Sequence, residues 1–121
     1  MGIEVCKTNI VHKEKVENVK SILDEKDFSS LLALGRCFGD ISRIKIFYAL
    51  ETYKEMCVCD LAAILDASIA TTSHHLRFLK KHGMAISRQD GKMVYYSIVN
   101  EEVHSIIRAF FNVPENKIMK S

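Results

Sequence analysis

The residues with the most chemical potential sit close together in Cys57-Val58-Cys59-Asp60-Leu61. Two cysteines one residue apart point nearly opposite ways inside a regular helix. In an extended lead-in to a helix they point to one side, so both sulfurs can face one ion. A helix N-terminus also favours the thiolate form that soft metals require. Two thiolates alone make a poor site, so a third ligand must arrive from elsewhere. Cys6 lies in residues 1–12, which show no sustained period and read as a mobile arm, free to reach. Cys37 falls on a predicted helix beside apolar residues and reads as a small core residue. The chain has four cysteines. In the cytosolic setting expected for it, these are reduced thiols used for metal or redox chemistry, not structural disulfides.

A second feature is the placement of charge. The formal net charge is only +2, yet residues 71–98 carry Arg77, Lys80, Lys81, Arg88 and Lys92 against Asp90 alone. Residues 1–70 hold nine Lys/Arg against eleven Asp/Glu. One short stretch therefore holds the positive field, the footprint of a module that faces phosphates.

These groups need elements to position them. Val16, Val19, Ile22 and Leu23 recur at helical spacing from Lys13 to Leu23. Asp27 is placed to cap a second helix that ends at Gly39, and Asp40 a third, bearing Ile41, Ile44, Phe47, Tyr48 and Leu50. Cys59 or Asp60 opens a fourth, with Leu61, Ile64 and Leu65 inward. The turn Asp66-Ala67-Ser68 leads into a fifth helix from about Ile69 to His82, with Ile69, Leu76 and Leu79 inward and Gly83 as its stop. Two helices joined so tightly form a helix-turn-helix. The period then changes to two: Met84–Arg88 and Met93–Val99 read as strands joined through Asp90-Gly91. Asn100 caps a last helix whose Val103, Ile106, Ile107, Phe110 and Phe111 form one stripe, a candidate dimer seam with the first helix. The expected fold is mainly α with one β-hairpin: a homodimeric winged helix-turn-helix, as a single domain over residues 13–121 behind an arm over 1–12.

In such a motif the second helix enters the major groove of DNA. With its apolar residues inward, Thr71, His74, Arg77 and Lys81 share the outward face and Ser73 borders it. Arg77 suits a phosphate or a guanine edge, and the Thr71 and Ser73 hydroxyls suit either phosphates or bases. Arg88 and Lys92 flank the hairpin tip, within reach of the neighbouring minor groove or backbone.

The stretch from Met56 to Tyr96, with Met-Cys-Val-Cys-Asp-Leu, Ala-Thr-Thr-Ser-His-His-Leu-Arg-Phe-Leu and Asp-Gly-Lys-Met-Val-Tyr-Tyr, resembles the ArsR/SmtB family of metal-responsive repressors. Phe38-Gly-Asp-Ile-Ser-Arg-Ile-Lys-Ile is similar to the family's preceding helix. The arsenic-sensing branch places a further cysteine where this chain has Leu61, Ala62 and Ala63. The cadmium- and lead-sensing branch recruits N-terminal cysteines across the dimer, and Cys6 stands in the matching place. The resemblance thus implies a homodimer that binds operator DNA and is released by Cd(II) or Pb(II), with Zn(II) and Bi(III) as further candidates. Its metal site would map onto Cys57 and Cys59 of one protomer and Cys6 of the other. The branch's second N-terminal cysteine is replaced by Ile10, leaving His12 or water as the candidate fourth ligand. The branch's zinc site on the final helix would map onto Asn100, Glu102, Val113 and Asn116, which are not a plausible ligand set, so that site is expected to be lost. On the same fold, a thiol-based redox or sulfide sensor and an arsenic sensor are the alternatives.

The composition excludes other classes. The chain has 121 residues, 48% of them hydrophobic, enough to bury a core without disulfides. No apolar run approaches the roughly 18 residues that span a membrane. The N-terminus carries no secretory pattern, so a soluble, cytoplasmic protein is expected. No Cys-His or Ser-His pair has an orienting acid and no Gly-rich phosphate loop occurs. An enzyme or an organic cofactor is therefore not expected.

Overall fold

The computed structural model describes residues 10–114. Its elements run α1 (Lys13–Asp24), α2 (Ser29–Cys37), α3 (Ile41–Tyr53), β1 (Met56–Cys57), α4 (Val58–Leu65), α5 (Ile69–Lys81), β2 (Ala85–Asp90), β3 (Met93–Ile98) and α6 (Glu101–Phe110). The three strands form one antiparallel sheet in the order β1-β3-β2. A helix-turn-helix, α4–α5, is followed directly by the β2–β3 hairpin, which makes the architecture a winged helix-turn-helix.

The starts of α3, α5 and α6 follow from short polar side chains that satisfy otherwise unpaired N–H groups. Asp40 Oδ1 accepts from the backbone N–H of Ser42 at 2.8 Å and of Arg43 at 3.3 Å. Ser68 Oγ accepts from Thr71 N at 3.0 Å, and Asn100 Oδ1 from Val103 N at 3.1 Å. Replacing Asn100 by alanine should cost about 1 kcal/mol of unfolding free energy, measurable by urea denaturation at fixed protein concentration. Asp27, expected as the cap of α2, lies one residue too early: Phe28 is the N-cap, and Asp27 Oδ1 accepts from the N–H and hydroxyl of Ser29, the first helical residue.

The tight turn between α4 and α5 is made without glycine. Asp66 itself takes the left-handed conformation, φ +53° and ψ +43°, which Asp tolerates better than most residues. Gly91, at φ +63°, opens the hairpin. Because Asp90 pairs with Met93, the two-residue loop is Gly91-Lys92, one position later than the Asp90-Gly91 junction expected, and Asp90 ends the strand.

Phe47, Ile46 and Leu50 from α3, Leu61 from α4, and Leu76 and Leu79 from α5 are fully buried. Val103 and Ile107 from α6 close the same core. Cys37 is buried among them, as expected. Two inward assignments are corrected, Ile69 being 54% exposed and Ile64 48%, and Ile41, one of the apolar residues of α3, is 64% exposed as well. Ile41 and Ile69 are first residues of their helices, where the outward start of the chain overrides the apolar period. Thr72 takes the inward place on α5 instead, its hydroxyl donating to Ser68 O at 2.9 Å.

In a single chain α1 buries none of its residues. Val16, Val19, Ile22 and Leu23 remain exposed, as do Phe110 and Phe111 at the end of α6. No described helix is long and apolar enough to cross a membrane.

Candidate nucleic-acid interface and cysteine site

α5 presents two different faces. Thr72, Leu76 and Leu79 are buried, which leaves Thr71, His74, Arg77 and Lys81 exposed and Ser73 half-buried. The five residues expected on the outward side therefore stand together along one helix. The Thr71 hydroxyl is partly engaged, accepting from Ser68 Oγ at 3.0 Å. His75 is half-buried, 3.5 Å from Arg43 Nη1.

Arg43 was not singled out by the sequence, yet it fixes this helix in place. Its Nη2 donates to Arg36 O at 2.7 Å and its Nε to Cys37 O at 3.1 Å, satisfying carbonyls at the end of α2. The guanidinium also lies 4.2 Å from the centroid of the Phe78 ring on α5, a favourable cation–π geometry. Burial pushes the Cys37 thiol above its usual range, opposed by the positive charge of Arg43.

The wing places Lys92 in the loop at its tip, exposed. Arg88 is exposed too but engaged. Its Nε and Nη2 donate to the two carboxylate oxygens of Glu55 at 2.7 and 2.8 Å. Its guanidinium lies 4.6 Å from the Tyr95 ring centroid. Those hydrogen bonds hold the Glu55 carboxyl below the usual carboxylate range. To meet a phosphate, Arg88 must share or surrender this pair. Lys80 Nζ donates to Ser87 Oγ at 2.8 Å, tying α5 to the wing.

The paired cysteines stand at the junction of the sheet and α4. Cys57 is the N-cap of α4, with extended backbone at φ −81° and ψ 159° and no side-chain cap bond. It also closes β1, paired with Tyr95 of β3. Cys59 is already the second helical residue, because α4 begins at Val58; the expectation that both cysteines share an extended lead-in is corrected, since only Cys57 is extended. The two thiols differ in access: Cys57 is only 4% exposed, whereas Cys59 is exposed. Both are free thiols, and their soft sulfur donors at a helix N-terminus suit a thiophilic ion. Among the described residues no group of three or more His, Cys, Asp or Glu is arranged to hold a metal, so the donor set requires a further ligand. Cys6 lies outside the described residues. His12, at the N-cap of α1, makes no side-chain cap bond and is exposed.

Two of the four positions named for a zinc site on the last helix, Asn100 and Val113, have other tasks. The Asn100 amide oxygen caps α6, Val113 packs against the core, and Asn116 lies outside the described residues. A polar cluster nearby was missed from sequence. Glu51 of α3 is buried, accepting from Arg108 Nε and paired with His104 Nδ1, each at 2.5 Å. His104 and Arg108 are four apart and so share one face of α6. Glu51 lies four residues beyond Phe47 on the buried face of α3. A carboxylate on that stripe was the available signal.

Comparison with known proteins agrees with this geometry. Residues 36–87 match the model of the bacterial regulatory protein, arsR family. The chain is 43% identical over 115 residues to the cadmium resistance transcriptional regulatory protein CadC of Listeria innocua, covering 95% of this chain and 97% of the relative. Among solved structures it is similar to HlyU from Vibrio cholerae, at TM-score 0.66 and 26% identity over 71% of this chain and 92% of that one. It also shares the fold of a homodimeric winged helix-turn-helix domain from Mycobacterium bovis, at TM-score 0.61 and 24% identity over 77% and 81% of the two chains.

Proposed function

Because the chain belongs to the arsR family of bacterial regulatory proteins, and is therefore a transcriptional regulator rather than an enzyme, we propose that it is a homodimeric repressor released from operator DNA by a soft metal ion. The observation that carries the metal reading is the pair of free thiols at the N-terminus of the helix that precedes the recognition helix, Cys57 at its N-cap and Cys59 in its first turn. Relatives named for cadmium resistance support Cd(II), with Pb(II) as its thiophilic neighbour. When bound, the ion supplies a cross-link between thiolates and no chemistry beyond it. Cys57 and Cys59 would hold it together with Cys6 of the second protomer, and His12 is the candidate fourth donor.

Without the ion, two copies of α5 enter successive major grooves. Thr71, Ser73, His74 and Arg77 face base edges and phosphates, with Lys81 on the backbone. Lys92, with Arg88, reaches the flanking backbone. The exposed apolar residues of α1 and α6 support the second copy, since a large uncovered apolar patch on a small domain marks an association surface. Ligation favours a conformer whose recognition helices no longer match the operator spacing, and it can do so only by as much as it favours that conformer. An anaerobic Cd(II) titration in reductant tests the proposal. Ultraviolet thiolate-to-metal absorption should rise in step with loss of DNA binding. Full DNA binding at saturating absorption refutes release, and absence of the absorption refutes the thiolate site.

A further inference from the structure

The cysteine junction and the wing are parts of one small sheet. Cys57 pairs with Tyr95, and Tyr95 pairs with Arg88. Residues directly opposite one another on antiparallel strands project to the same face. Cys57, Tyr95 and Arg88 thus form one cross-strand row running from the thiol to the outer strand of the wing. Glu55 precedes Cys57 by two residues and closes the row on itself. Its carboxylate grips Arg88 through two hydrogen bonds of 2.7 and 2.8 Å, across the Tyr95 ring on which the guanidinium rests. The backbone that carries Cys57 is therefore held to the wing twice, by β1–β3 pairing and by the Glu55–Arg88 fork.

Cys57 is buried at the N-cap of α4 and Cys59 is exposed in its first turn, so an ion held by both must bridge a buried and an exposed sulfur. From this row we infer that Glu55 is a positioning residue, coupling occupancy of the Cys57/Cys59 site to the orientation of the wing through Arg88. The inference rests on the metal-release reading above. Movement of the β1 segment is transmitted to β2 as a displacement of Arg88, because a bidentate fork fixes direction as well as distance. A salt bridge on a solvated surface adds little stability; its value here lies in linking two segments 33 positions apart.

The test uses the full-length dimer, anaerobic and reduced, with Cd(II) as probe and a duplex selected from a random library on the metal-free protein. Glu55→Ala should leave the thiolate–Cd(II) absorption intact and keep metal-free DNA affinity within about fivefold of wild type. The ratio of DNA dissociation constants with and without Cd(II) should fall by about two- to thirtyfold. Glu55→Asp, which can still pair with Arg88, should recover part of that ratio. In the metal-free protein, Glu55→Ala should also speed amide hydrogen exchange at Tyr95 and Tyr96. If Glu55→Ala weakens DNA binding yet keeps the wild-type ratio, Glu55 is structural and the coupling is overturned. A wild-type protein whose ratio is one removes the release reading itself, and this inference with it.

Discussion

Cys57→Ser and Cys59→Ser are each expected to bind operator as the unmodified protein does and to lose release by Cd(II). Serine is close in size to cysteine, but its hydroxyl is a hard donor that stays protonated, so the ligand is lost while the shape is kept. Cys59 is exposed, and a substitution there disturbs no packing. Cys57 is buried but occupies the N-cap of α4, where serine is among the preferred residues. Neither variant should therefore fail through misfolding. Coupling between two sites is typically worth about 1–3 kcal/mol, or 5- to 150-fold in affinity, and the variants forfeit all of it. Fluorescence anisotropy of labelled operator, with and without Cd(II), reads the effect. Release that persists in either variant removes that sulfur from the site.

Arg77→Ala should weaken operator binding by about 1–3 kcal/mol if the guanidinium reads a base edge, and should relax preference at one base pair. Arg77 projects from the exposed face of α5, away from the buried Leu76 and Leu79, so stability should change by less than about 0.5 kcal/mol. A phosphate contact behaves differently: affinity then falls evenly across sequences, and the slope of log affinity against log salt drops by about one. Binding measured on matched and mismatched duplexes at several salt concentrations separates the two roles. Unchanged affinity under every condition would take Arg77 out of the interface.

Much of the fold was legible because its signals are local. Asp40 and Asn100 announced helix starts that their own side chains make, and the change of period after Gly83 announced the hairpin. The errors arose where a local rule met a different constraint. Ile41 and Ile69 fit an apolar period but open their helices, where the chain is still leaving the surface. Asp66 supplied the left-handed residue for which glycine is the usual sign. The α6 stripe, read as a dimer seam, is instead divided: Val103 and Ile107 fill the chain's own core, and only Phe110 and Phe111 at its end stay exposed with the stripe of α1.

The candidate site divides in the same way. The outward face of α5 follows from helical geometry, and the structure keeps its five residues together. The cysteines were legible as a pair, but their unequal access was not, since that depends on β1 pairing with Tyr95 and Tyr96 some 40 positions away. In two pairings between distant segments neither residue names its partner locally: Glu55 with Arg88, and Glu51 with His104 and Arg108. Each joins charged groups that, read one at a time, look like an ordinary solvated surface. Arg88 shows the consequence. Its place near the wing tip suggested a phosphate ligand, while its carboxylate partner gives it a second task.

In the proposed mechanism, sulfurs from two separated parts of the polypeptide close on one ion. Alkylation of the Cd(II)-loaded, full-length dimer, read residue by residue by mass spectrometry, decides whether they do. Cys6, Cys57 and Cys59 should all be protected at stoichiometric Cd(II) and become reactive together when a chelator removes it. Protection of Cys57 and Cys59 with Cys6 modified as fast as in the metal-free protein would contradict it.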